Sequence, residues 1–137
     1  MMGPDRPDTR FERRTLLAGL AAASLVPAFP AVAGERTAMY GFIGKMRATP
    51  GQRDALIAIL LEGTGEMPGC LSYIVARDPT DPDAVWVTEV WDDAGSHKAS
   101  LSLPAVQAAI AKGRPLIAGF DSSVPTEPVG GWGLQRA

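Results

Sequence analysis

The strongest constraint in the sequence is a pair of eight-residue segments, CLSYIVAR (Cys70–Arg77) and AVWVTEVW (Ala84–Trp91), joined by DPTDPD. Both are rich in β-branched and aromatic residues, which fit the pleated surface of a strand. The link holds three aspartates and two prolines, whose side-chain and ring chemistry favours a tight reversal. Together they predict an antiparallel hairpin. Along the second segment Val85, Val87, Glu89 and Trp91 project one way, and Trp86, Thr88 and Val90 the other. Each face carries a large aromatic and valine, whereas a solvated face would be more polar. The hairpin therefore needs cover on both sides.

The neighbouring segments supply half of that cover. MYGFIGKMRA, Met39–Ala48, reads as a first strand, with Lys45 and Arg47 two apart on one face. Thr49-Pro50-Gly51 ends it, Thr49 being suited to cap a helix and Pro50 to open one. From Gln52 to about Met67, Leu56, Ile57, Leu60 and Leu61 form one apolar stripe, stopped by Pro68-Gly69. After the hairpin, Asp92 or Asp93 caps a helix running to about Leu103, and PAVQAAIAK resumes as a helix after a break at Pro104. Gly113 closes it, Phe120–Thr126 is a fourth strand, and PVGGWGL forms a tail.

The order is βαββαβ, an α+β, ferredoxin-like plan: a four-stranded antiparallel sheet with two helices on one face. Two helices cover one face. A homodimer packed sheet on sheet is the simplest cover for the other.

Composition narrows the partners. The chain has 137 residues, 46% hydrophobic and 20% charged, with a formal net charge of −2 and no basic run to follow a phosphate backbone. Nucleic acid is not an expected partner. The single cysteine, Cys70, forms no intramolecular disulfide, has no second thiol to share a zinc ion, and is read as a small buried apolar residue. No metal site and no cofactor motif is expected.

The N-terminus has its own grammar. A polar stretch, Met1–Arg14, holds four arginines; Thr15–Gly34 is free of charge. Its apolar heart, LLAGLAAASLV, is shorter than the ~20 residues of a membrane-spanning helix, and Ala31-Val32-Ala33 offers a small-x-small cleavage pattern. Glu12-Arg13-Arg14-Thr15-Leu16-Leu17 resembles a twin-arginine export signal. Residues 1–33 are thus expected to direct export to the periplasm, with the alternative that they are kept as an anchor. The mature domain is then 34–137, with a core at about 38–127 and a tail at 128–137. No stable membrane insertion is expected after cleavage.

Three residues near the end of the third strand attract attention. His97 is the only histidine. On a helix starting near Ala94 it shares a face with Leu101 and Pro104, so it turns inward. Imidazole is the natural base for a phenolic proton near neutral pH. Glu89, a carboxylate on an apolar strand, needs a partner. The choices are His97, a substrate hydroxyl, or an ion pair with Lys45, Arg47 or Arg114, and the ion pair is the first expectation. Trp91 shares the face of Glu89 and offers a flat wall and one N–H donor.

The sequence resembles the antibiotic biosynthesis monooxygenase family. The resemblance lies in YGFIGKMRATPGQRDAL, PGCLSYIV, DPDAVWVTEVWDD, SHKASLSLPAV and PVGGWGL, which together span nearly the whole mature domain. It implies a dimeric α+β barrel of two ferredoxin-like subunits. It also implies oxidation of a quinol-like or polyphenolic aromatic by molecular oxygen without a cofactor. Glu89-Val90-Trp91 matches the family pattern in which a tryptophan borders the pocket. On this reading His97 is the base, Trp91 and Tyr73 are wall and donors, and Glu89 orients the base. Tyr40, Phe42 and Leu101 contact the substrate, with a place at the subunit interface as the alternative for Tyr40 and Phe42, and Trp132 in the tail lies across the partner subunit. One departure stands out: relatives often place a histidine where this chain has Ser100. Haem degradation or small-metabolite isomerisation on the same fold, and a non-catalytic dimeric binding module, remain alternatives.

Overall fold

The computed structural model describes residues 37–134. The segment expected to direct export, residues 1–33, and the last three residues of the tail lie outside the described residues.

The elements run β1 (Tyr40–Ala48), α1 (Arg53–Glu62), β2 (Cys70–Arg77), β3 (Ala84–Trp91), α2 (Ala94–Ser100), α3 (Pro104–Gly113), a 3-10 turn (Arg114–Leu116) and β4 (Ile117–Thr126). All strand pairs are antiparallel, in the order β2-β3-β1-β4. This is the ferredoxin-like βαββαβ plan, with the second helical segment split in two: α2 ends at Ser100, short of the expected Leu103, and α3 restarts at Pro104. Ring closure at that proline removes a backbone donor, and the chain restarts a helix with proline in its first turn.

The core lies between α1, α3 and one face of the sheet. Leu56, Val85, Val87 and Ala48 are its buried centre, with Met46, Tyr73, Val75 and Ile117 packed around them. The crossing of α1 and α3 is close at one point: a Cβ on Gly63 would sit 3.1 Å from Ala109, whereas one on Gly113 would make ordinary contact with Leu56 at 3.5 Å. The opposite face carries Ile43, Lys45, Trp86, Thr88, Ile74 and Val124, whose register places them together. Ile74 and Val124 are exposed.

Three details differ from expectation. The first helix opens at Arg53, and neither Thr49 nor Gln52 caps it with a side chain. Gly51, at φ +78°, inserts a turn closed by Gln52 N–H on the Thr49 carbonyl, while its own amide donates to Asp83. That helix also ends at Glu62 rather than near Met67, because the Gly63 amide turns back to Ile59 and the Thr64 hydroxyl to Leu61. The last strand starts at Ile117, before Phe120, since two register shifts let Ile117 pair with Ala48.

The hairpin turn is organised by Asp78, a buried carboxylate. It accepts from the Thr80 amide and hydroxyl (both 2.8 Å), the Asp81 amide (3.0 Å) and the Trp86 indole (2.8 Å), and pairs with Lys45 at 2.8 Å. The Lys45 ammonium beside it, then the Thr80 and Trp86 donors, hold its carboxyl well below the usual carboxylate range. Arg53 donates to the carbonyls of Asp78 and Asp81, tying α1 to the turn. Cys70 is half-buried and its thiol faces the Ser72 carbonyl, so it is less enclosed than expected because it opens a strand rather than sitting inside one.

Candidate active site

The register of the sheet assembles the site. Glu89 lies opposite Phe42 on one side and Tyr73 on the other, and Trp91 opposite Tyr40 and Cys70. Alternation sends all of these to the helix-covered face. Trp91 is almost fully buried, and its indole N–H donates to Glu89 Oε2 at 2.8 Å.

His97 arrives from the next element. Asp93 caps α2 by accepting from the Ser96 amide at 2.7 Å, so His97 stands one turn further on. The start of α2 is pinned to the start of β2, because the Asp92 amide donates to the Gly69 carbonyl at 2.9 Å. Gly69 has φ +82°, and a Cβ there would lie 2.5 Å from Ser96. The imidazole then rests against three aromatic rings: Tyr40 at 4.8 Å, Phe42 at 6.3 Å and stacked, and the edge of Trp91 at 5.5 Å. Its Nε2 is 3.7 Å from Glu89 Oε2, too long for a hydrogen bond but close enough for the charges to interact. Ser100 is buried and donates to the His97 carbonyl at 2.6 Å. It braces the backbone of that histidine.

These groups stand at one end of a cavity of about 570 Å³ between the sheet and the helices. Tyr73, Glu89, Trp91, His97 and Leu101 all line it; Tyr40 and Phe42 do not, and contact His97 from behind instead. Its remaining walls are mostly aliphatic, from α1, α3 and β4, and include Leu60, Met67, Val106 and Phe120. Those wall residues escaped the sequence reading, since only helix packing creates the space they border.

Electrostatics follow from this enclosure. Burial pushes the Glu89 carboxyl above its ordinary value, opposed by the Trp91 N–H and by the proximity of His97. Burial also raises the Tyr73 phenol, and the neighbouring Glu89 charge adds to that. Tyr73 is therefore a neutral hydroxyl, and it has no protein acceptor among the described residues. It faces the cavity as a free donor, whereas the Trp91 N–H is already committed to Glu89. The Cys70 thiol is likewise raised by burial, so it is not an activated nucleophile.

The ion pair first expected for Glu89 does not form. Lys45 pairs with Asp78 and Arg47 with Asp121. Both basic residues belong to the other face of β1, so their reach is away from Glu89. Arg114 lines the cavity but makes no ion pair with Glu89. Among the described residues no three His, Cys, Asp or Glu side chains come together as a metal-binding set.

The fold and the site define an α+β protein with a hydrophobic pocket ending in a carboxylate, an imidazole and a phenol. Residues 39–112 match the family described as antibiotic biosynthesis monooxygenase. A crystal structure from Chloroflexus aurantiacus J-10-fl, provisionally assigned as an antibiotic biosynthesis monooxygenase, is 73% identical to this chain. The match covers 71% of this chain and 99% of that one, with a TM-score of 0.70. Structures with the same provisional assignment from Deinococcus radiodurans and Caulobacter crescentus CB15 are 26% and 22% identical, with TM-scores of 0.58 and 0.61. They cover 67% and 69% of this chain and 94% and 93% of theirs, and the second is a likeness of fold alone. No curated protein matches the sequence. The chain belongs to the antibiotic biosynthesis monooxygenase family.

Proposed function

We propose that this protein is a cofactor-independent monooxygenase that oxidises a quinol-like or polyphenolic aromatic with molecular oxygen. The observation that carries the reading is the placement of Glu89, His97 and Tyr73 together on the lining of a mostly apolar cavity whose one other charged lining group is Arg114. A flat aromatic enters such a space by burying ring surface, and few polar groups are needed to fix its orientation.

The chemistry assigns each group a task. His97 accepts the phenolic proton of the substrate, and the nearby Glu89 carboxylate stabilises the resulting imidazolium. Tyr73 donates to the substrate oxygen on which negative charge builds. The anion passes one electron to oxygen, and the substrate radical and superoxide combine to form a carbon–oxygen bond. For an anthrone-type CH₂, the resulting hydroperoxide loses water and leaves a carbonyl. One oxygen atom is thus retained and the other becomes water, with all electrons supplied by the substrate.

The finer physiological setting belongs to the same proposal. The mature domain from Gly34 works in the periplasm after export, and two copies pack through the sheet face that carries Ile74, Trp86 and Val124. Sedimentation of the mature chain tests the second point: a monomer at micromolar concentration refutes it. Among the described residues no helix is long and apolar enough to cross a membrane.

Oxygen uptake by the metal-stripped mature protein, offered a panel of quinols and anthrones, tests the activity. Uptake above the spontaneous rate should fall by about 10²–10⁴ in His97→Ala, the usual worth of a positioned base. Undiminished uptake in that variant removes His97 from the mechanism. No uptake across the panel, with haemin bleached under reductant instead, would move the protein to haem chemistry; quinone binding without turnover would make it a binding module.

A further inference from the structure

The cavity has a second polar feature that the oxidation does not use. Its charged lining groups are Glu89 and His97 at one end and Arg114 elsewhere. Arg114 opens the 3-10 turn after α3 and is exposed; its backbone amide donates to the Ile110 carbonyl, while its guanidinium makes no hydrogen bond or ion pair among the described residues. The neighbouring basic residue, Lys112, is engaged with Glu62 at 3.2 Å.

The sheet register sets the separation of the two ends. Glu89 lies opposite Phe42 on β1, while Ile117, three residues after Arg114, lies opposite Ala48. Six positions on a strand correspond to roughly 20 Å. The side chains shorten that span by reaching inward, yet it exceeds the size of a single ring. Volume gives the same answer, since a cavity of about 150 Å³ accommodates benzene and this one is about 570 Å³.

We infer that Arg114 is a specificity residue for an anionic group on the substrate, so that the ligand is an elongated aromatic with a carboxylate remote from its reacting hydroxyl. This rests on the monooxygenase reading for the reacting end of the ligand, but not for the charged end. A planar guanidinium presents paired N–H donors that match a carboxylate, and the aliphatic walls between the two ends suit fused rings or a short alkyl chain. The negative Glu89 sits at the other end, so a ligand bearing one acid is oriented with its phenol toward His97.

The experiment compares a naphthohydroquinone carrying a terminal carboxylate on a short chain with its methyl ester, in the mature wild type, Arg114→Gln and Arg114→Lys. The wild type should show a KM for the acid lower by roughly fivefold, the upper range for a partly solvated ion pair. Arg114→Gln should collapse the acid-to-ester ratio toward one, Arg114→Lys should keep part of it, and high salt should narrow it in the wild type. An unchanged ratio in Arg114→Gln, or no acid preference in the wild type, overturns the inference. Binding of the oxidised quinone forms, followed by tryptophan fluorescence, separates this failure from failure of the proposed activity. Acid-selective binding lost in Arg114→Gln but unaccompanied by oxygen uptake keeps the carboxylate site and removes the oxidation. Oxygen uptake with equal binding of acid and ester removes Arg114 alone.

Discussion

Replacing Trp91 by phenylalanine isolates the contact that holds the site together. The indole N–H is the donor that Glu89 uses at 2.8 Å, and Trp91 is almost wholly buried. Losing the donor leaves a partly buried carboxylate short of a partner, which costs about 1–3 kcal/mol. Phenylalanine also leaves about 40 Å³ unfilled, worth about 1 kcal/mol at the usual cavity penalty. The sum is about 2–4 kcal/mol, or a fall in Tm of order 10–25 °C for a domain this size. The loss should depend on pH. Burial already raises the folded-state pKa of Glu89 above its unfolded value, and the Trp91 N–H opposes that rise. Without the N–H the folded pKa climbs further, so the ionised form is more penalised. The stability gap between wild type and variant is therefore widest at neutral pH and narrows as pH falls through the raised pKa toward the unfolded value. Urea unfolding of wild type, Trp91→Phe, Glu89→Gln and the double variant reads this directly. The coupling between the two sites should reach about 1–2 kcal/mol. Additive effects, or a gap that does not narrow as pH is lowered from neutral, would refute the argument.

Other perturbations test the surrounding frame. Gly69→Ala forces a side chain into the Ser96 contact at positive φ, and should lower both stability, by about 1–3 kcal/mol, and oxygen uptake, because the start of α2 carries His97; thermal melts and uptake assays check it. Asp78→Asn should remove a pH-dependent contribution: the depressed folded pKa stabilises the protein above the unfolded value of 3.8 and that stability is lost as pH falls below it, so wild type and variant should converge in acid when their urea midpoints are compared. Leu56→Ala, at the fully buried centre of the core, should cost about 2–5 kcal/mol in urea unfolding.

The hairpin was legible to the residue because its strands have turn chemistry at one end and caps at the other. Asp78, Pro79, Pro82 and Asp83 stop the ladder, and Asp93 starts a helix, all through local interactions. The break at Pro104 was legible for the same reason. The partner of Glu89 was not. Whether Lys45 can reach it depends on which face of β1 the lysine occupies relative to β3, and register between strands 40 residues apart is set by long-range packing. The early start of β4 likewise depends on two register shifts against β1. The site residues on β3 and α2 could be named because they are close in sequence. The cavity they face could not, since its volume depends on how α1 and α3 pack over the sheet, Gly63 against Ala109 among the contacts.

Glu89, Trp91 and His97 all fall within nine consecutive residues, whereas the walls beyond them come from α1, α3 and β4. On the proposed reading the base and its carboxylate are thus written in one short cassette, with Tyr73 added from β2, and molecular shape in dispersed segments. A descendant of this chain can exchange what it accepts by altering distant walls while inheriting its proton-handling unit whole, and loss of that unit by a single small rearrangement would leave a container without chemistry.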